Sequence, residues 1–129
     1  MYEFKDEFRT GIESIDKEHA KLFEIADRAY TTLMDDFIPD KYDYVVDILN
    51  ELKEYASFHF QHEEEYMMSI NYNKLFSHTV EHNDLLEKVS KYDLSKFDEN
   101  QKDAILEILE FINNWLVNHI VLRDKQIGK

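Results

Sequence analysis

Five histidines and two acids carry the chemistry legible in this sequence: His19, His59, His78, His82 and His119, with Glu63 and Asp124. They stand in four short segments. These read Ile15-Asp16-Lys17-Glu18-His19, His59-Phe60-Gln61-His62-Glu63-Glu64, His78-Thr79-Val80-Glu81-His82 and His119-Ile120-Val121-Leu122-Arg123-Asp124. Neutral imidazole combined with carboxylate is the donor set of a non-haem transition-metal site, most naturally iron. Seven donors are too many for one ion and suit two.

Spacing supports this chemistry. Residues four apart on a helix differ by about 40° in direction and share a face. His78 and His82 can therefore bind one ion together, and His59 and Glu63 can reach the same centre. His119 and Asp124 are five apart, about 140° on an ideal helix. Bringing them together requires a local distortion between Ile120 and Asp124, such as a π-bulge.

The elements that must position these residues are helices. Two Gly and one Pro in 129 residues leave little material for a many-turned β fold. The expected class is all-α, an up-down-up-down four-helix bundle with an extended N-terminal arm over residues 1–14. Helix one, capped by Ser14 or Asp16, carries Ile15, His19, Leu22, Phe23, Ala26, Tyr30 and Leu33. Pro39 marks a break and Asp40 can cap helix two, whose stripe is Val45, Ile48, Leu52, Tyr55, Ala56, His59, Glu63 and Met67. A turn follows in which Asn71 can adopt a left-handed conformation. Helix three carries Leu75, His78, His82, Leu85, Leu86 and Val89. Asp98 and Gln101 resemble a capping box for helix four, with Ile105, Ile108, Ile112, Trp115 and His119.

In an up-down bundle alternate helices run in opposite directions. His19 and His78 sit near the starts of helices one and three, and His59 and His119 near the ends of two and four. All four therefore fall at one end of the bundle. A lone buried histidine is more often a hydrogen-bonded core residue than a ligand. Five that converge, with two carboxylates on the same helices, reverse that judgement, because such a cluster is costly without a metal. His62 points about 100° away from Glu63 and reads as a surface residue. Glu64 and Glu65 read as solvated. Asp16 reads as a helix cap rather than as a residue orienting His19.

On these residues the chain resembles the hemerythrin family, in its stand-alone bacterial form, from about Phe4 to Ile127. The matching pattern is Gly11-Ile12-x-x-Ile15-Asp16-x-x-His19-x-x-Leu22-Phe23, His59-Phe60-x-x-Glu63-Glu64, His78-x-x-x-His82 and Trp115-Leu116-x-x-His119-Ile120-x-x-x-Asp124. One departure is Phe4, where bacterial members often have Trp. The resemblance implies one hemerythrin-like domain over residues 1–129 and two non-haem iron ions, oxo- or hydroxo-bridged. His78, His82 and His119 would bind one iron, His19 and His59 the other, and Glu63 and Asp124 would bridge both. One iron then has six ligands and the other five. The open position is where dioxygen would bind, within an oxygen pocket of Leu22, Phe60, Trp115, Leu116 and Ile120.

The expected function is reversible dioxygen binding for carriage, storage or sensing, not catalysis. The alternatives are a di-iron oxidase or peroxidase, an iron or nitric oxide scavenger, and a zinc-binding structural bundle. Ferritin-like di-iron proteins use paired Glu-x-x-His motifs, and this chain has none. A net charge of −13 argues against nucleic acid and anionic membranes. Absence of cysteine excludes disulfides, thiolate sites and iron–sulfur clusters. With no signal-like N-terminus and no stretch read as approaching a membrane span, a soluble cytoplasmic protein is expected.

Overall fold

The computed structural model describes residues 2–39, 41–91 and 102–129. The described residues form four principal helices and no strand: α1 Glu13–Met34, α2 Lys41–Ser69, α3 Leu75–Ser90 and α4 Lys102–His119. After α4 the chain makes a π-turn, Ile120–Asp124, and one last helical turn, α5, Lys125–Ile127. The architecture is the expected all-α four-helix bundle. Its core is the set of apolar stripes: Leu22, Phe23, Ala26 and Leu33 of α1, Val45, Leu49 and Leu52 of α2, Leu85 and Val89 of α3, and Ile105, Ile108 and Ile112 of α4. Ile48, Tyr55 and Leu86, also placed on the stripes by periodicity, lie half-buried at their edges.

One helix-end expectation is met and one is corrected. After α2, Asn71 adopts φ 52°. The Tyr72 amide bonds the Met67 carbonyl at 2.9 Å and the Asn71 amide bonds the Met68 carbonyl at 3.1 Å, which is the Schellman arrangement. Neither Ser14 nor Asp16 caps α1. The cap position is Ile12, without a side-chain bond. The buried Asp16 carboxylate instead accepts from Thr10 N–H at 2.8 Å, Thr10 Oγ1–H at 2.9 Å and Gly11 N–H at 3.3 Å. It lies one turn inside the helix, so it anchors the incoming strand of backbone instead of the helix end. The Asp40 cap and the Asp98–Gln101 capping box lie outside the described residues.

The N-terminal arm is extended except for a 3-10 turn at Asp6–Phe8. Phe8 stacks on Phe23, centroids 5.6 Å apart, and Phe4 lies 6.4 Å from the His19 ring. The C-terminal turn closes against this arm. Lys125 Nζ donates to the Glu7 carbonyl at 3.0 Å. A Cβ on Gly128 would stand 2.0 Å from the Thr10 carbonyl oxygen, so this close approach requires glycine.

Contrary to the sequence reading, the run Lys102–Ile127 is long and apolar enough to cross a membrane by length and composition. Its apolar face, Ile105, Ile108, Leu109, Ile112, Leu116 and Ile120, is spent on the bundle core.

Candidate metal centre

All seven histidine and carboxylate side chains singled out in the sequence converge, and all are buried. α1 brings His19, α2 brings His59 and Glu63, α3 brings His78 and His82, and α4 with its π-turn brings His119 and Asp124. The π-turn lies where the five-residue spacing demanded a distortion. Lys125 N–H reaches back to the Ile120 carbonyl, the five-residue bond that marks this geometry.

Each of the five buried histidines presents Nε2 to the centre, and the donors fall into two groups. Glu63 Oε1 lies 2.7 Å from His78 and 3.0 Å from His82. Asp124 Oδ1 lies 2.8 Å from His78 and 3.0 Å from His119. On the other side, Glu63 Oε2 lies 3.3 Å from His59 and 3.5 Å from His19, and Asp124 Oδ2 lies 3.0 Å from His19. Each carboxylate thus gives one oxygen to a three-histidine group and the other to a two-histidine group. Two metal-sized donor sets result: Glu63, His78, His82, His119 and Asp124, and His19, His59, Glu63 and Asp124.

The donor set fits a pair of cations. His119 Nε2 is 3.0 Å from His78 Nε2 and 3.1 Å from His82 Nε2. Neutral imidazole lone pairs that close repel unless a proton or a cation lies between them. Both nitrogens of His19, Glu63 Oε2 and Asp124 Oδ1 are buried without a well-formed hydrogen bond among the described residues, despite their close neighbours. Such crowding is expensive unless the lone pairs are otherwise engaged.

Electrostatics express the same frustration. Burial disfavours the charged form of His59, but hydrogen bonds to Glu18 and Glu63 outweigh it and raise its pKa to about 9. His78 is likewise raised to about 9, against burial, by Asp124 and Glu63. Burial pushes Glu63 upward, yet the close approach of four imidazoles, His19, His59, His78 and His82, holds it well below the usual carboxylate range. Asp124 is lowered too, against burial and the Glu63 charge, by the nearby imidazoles of His119, His19 and His78.

Of the five residues expected to form the oxygen pocket, Leu22, Phe60, Leu116 and Ile120 are buried and Trp115 is half-buried. Phe60 stacks on His82 at 4.0 Å and 8°, and Trp115 stacks on His119 at 4.4 Å and 14°. The two aromatics therefore also lock imidazole planes of the three-histidine group.

Three further carboxylates escaped the sequence reading as functional residues. Glu18 accepts from His59 Nδ1–H at 2.8 Å, Glu64 from His82 Nδ1–H at 2.9 Å, and Glu81 from His119 Nδ1–H at 3.3 Å. Glu64 is thus half-buried and bonded, not solvated; Glu65 is exposed. Each bond runs from one helix to the next, so the partner could not be read from adjacency. The available signal was that each acid directly neighbours a donor in sequence: Glu18 beside His19, Glu64 beside Glu63, Glu81 beside His82. His62 is exposed as expected, yet its Nδ1–H donates to Glu18 at 2.7 Å. Asp16 bonds the arm and does not reach His19.

A helical bundle that gathers histidines into two groups around shared carboxylates has the donor arrangement of a two-metal site. The model of the hemerythrin HHE cation binding domain matches residues 10–128, and the chain belongs to the hemerythrin family. Such a domain implies a non-haem di-iron pair. The chain is 47% identical to a bacteriohemerythrin of Clostridium acetobutylicum over 126 residues, 98% of each chain. It is 27% identical to a bacteriohemerythrin of Methylococcus capsulatus over 122 residues, 95% of this chain and 89% of that one.

Proposed function

We infer that this protein binds dioxygen reversibly at a non-haem di-iron centre and serves in oxygen carriage, storage or sensing. The observation that carries the reading is the division of Glu63 and Asp124 between the two histidine groups. We assign His78, His82 and His119 to one iron, His19 and His59 to the other, and Glu63 and Asp124 as bridges. The first group would supply five ligands and the second four; one oxo or hydroxo bridge would raise these to six and five, leaving room at the second for an exogenous ligand. When bound, the iron pair supplies the electrons on which reversible dioxygen binding depends.

The chain's own residues do the rest. We assign Leu22, Phe60, Leu116 and Ile120, with the half-buried Trp115, to an apolar pocket that keeps water away. None of these five side chains is an acid or a base, so none can deliver a proton to drive oxygen reduction onward. That favours binding over oxidation of a substrate.

The test is oxygenation of the di-ferrous protein followed by its visible spectrum. One dioxygen should bind per iron pair and leave on deoxygenation, over repeated cycles. Net oxygen consumption at a rate rivalling binding would establish an oxidase instead. Preference for nitric oxide with negligible oxygen binding would establish a scavenger, and stoichiometric zinc would establish a structural site.

A further inference from the structure

The outer carboxylates are shared unequally between the two histidine groups. In the three-histidine group, His82 is held by Glu64 and His119 by Glu81. In the two-histidine group, among the described residues, only His59 is held, by Glu18. His19 Nδ1 is buried with no hydrogen-bond partner among the described residues. Glu18 is also the acid whose two oxygens are taken by two imidazoles of the same helix. His59 takes Oε1 from inside and His62 takes Oε2 from the surface, at 2.8 and 2.7 Å.

We propose that Glu18, gripped from the surface by His62, is the positioning residue for the two-histidine half of the centre and sets how tightly that half holds its metal, separately from the other half. The proposal rests on the two-metal reading above. A ligating imidazole must offer a lone pair at one nitrogen, so its proton must sit on the other. A carboxylate on His59 Nδ1 fixes that tautomer and the ring plane together. The three-histidine half has two such supports, so removing one leaves another. The two-histidine half has one. His62 matters because Glu18 reaches His59 from α1 across the helix interface. With its second oxygen pinned, the carboxylate cannot swing toward solvent. A purely structural Glu18, stitching α1 to α2, would lower stability and loosen both metals together.

The experiment is stepwise loading of the metal-free full-length chain with Zn2+ in competition with a chelator. It compares wild type with Glu18→Ala, Glu18→Gln, His62→Ala and Glu81→Ala. Imidazole nitrogen–proton correlation spectra identify which histidines each ion engages. Wild type should take two ions. Glu18→Ala should weaken one of them by about 10- to 100-fold, the usual cost of losing such a support. The first equivalent should then engage His78, His82 and His119 while His19 and His59 remain metal-free. Glu18→Gln keeps an acceptor for His59 Nδ1–H and should recover most of the loss. His62→Ala should shift the same ion by a smaller factor, and it carries the test should Glu18→Ala not fold. Glu81→Ala should weaken the opposite ion.

Parallel weakening of both ions in Glu18→Ala, no weakening, or the same ion affected by Glu18→Ala and Glu81→Ala overturns the proposal alone. Wild type that binds fewer than two ions overturns the two-metal reading and this proposal with it.

Discussion

His119 Nε2 and Asp124 Oδ1 lie 3.0 Å apart, although five residues along an ideal helix would turn their side chains about 140° from each other. The π-turn over Ile120–Asp124 closes that gap. A π-turn is rare and is kept where something rewards it. Here the reward is Asp124 inside the cluster. In Asp124→Ala the segment should relax toward ordinary α-helix. Backbone carbon shifts over Ile120–Lys125 and amide exchange at Lys125, whose N–H bonds the Ile120 carbonyl, will report it. An unchanged segment would mean that the π-turn is set by packing alone.

Glu63 touches four of the five clustered histidines, whereas Glu64 bonds the outer nitrogen of His82. Glu63→Ala should abolish binding of the metal pair. Glu64→Ala should keep two ions with affinity reduced by about 10- to 100-fold. Metal content after gel filtration and chelator competition separates the two variants. Equal losses would remove Glu63 from its bridging assignment.

The metal-free protein should lose stability as pH rises from neutrality. His59 and His78 have pKa values of about 9 in the fold, above the usual 6.5. A raised imidazole pKa contributes stability that is complete below about pH 6.5 and is lost as pH climbs through about 9. The slope is up to about 1.4 kcal/mol per pH unit for each group within that window. Glu63 and Asp124, with lowered pKa values, contribute in the opposite sense. Their stabilisation is present above their usual values of 4.5 and 3.8 and is lost as pH falls through the folded ones. Metal competes with the same imidazole protons, so its apparent affinity should rise across the 6.5–9 window while the metal-free fold weakens. Denaturant titrations of the metal-free chain across that range check the sign, and a stability that rises with pH contradicts it.

Leu116 is 3% exposed and stands three residues before His119. Leu116→Ala should cost about 2–5 kcal/mol through lost burial and a residual cavity. If Leu116 also excludes water from the bound gas, oxidation of the oxygen-loaded protein to the ferric state should quicken. A variant that is destabilised yet oxidises at the wild-type rate assigns Leu116 to packing only.

Gly128→Ala should detach the C-terminal turn from the arm. The new methyl would meet the Thr10 carbonyl oxygen at 2.0 Å, a backbone atom held in place through Asp16. Relief requires moving the segment that carries the Lys125–Glu7 bond and the buried Ile127. A loss of about 0.5–3 kcal/mol is expected, the usual span for a destabilising single substitution. Faster proteolysis within residues 2–12 would accompany it. Wild-type melting and cleavage together would show that the contact is dispensable.

The sequence by itself determined the helices, the donor types and their common level along the bundle. These are local properties: a 3.6-residue period places His59 with Glu63 and His78 with His82 whatever surrounds them. It also exposed the mismatch between His119 and Asp124, because a departure from that period is equally local. Only the tertiary structure decided which oxygen of Glu63 and Asp124 serves which histidine group, and which acid supports which imidazole. Glu18 stands beside His19 in the chain yet bonds His59, and Glu81 stands beside His82 yet bonds His119. Neighbours on a helix point about 100° apart, so an acid next to an inward-facing histidine is aimed at the adjacent helix. Asp16 was misread for the same reason: its partners arrive from an arm folded back over α1, and no pattern within α1 announces them.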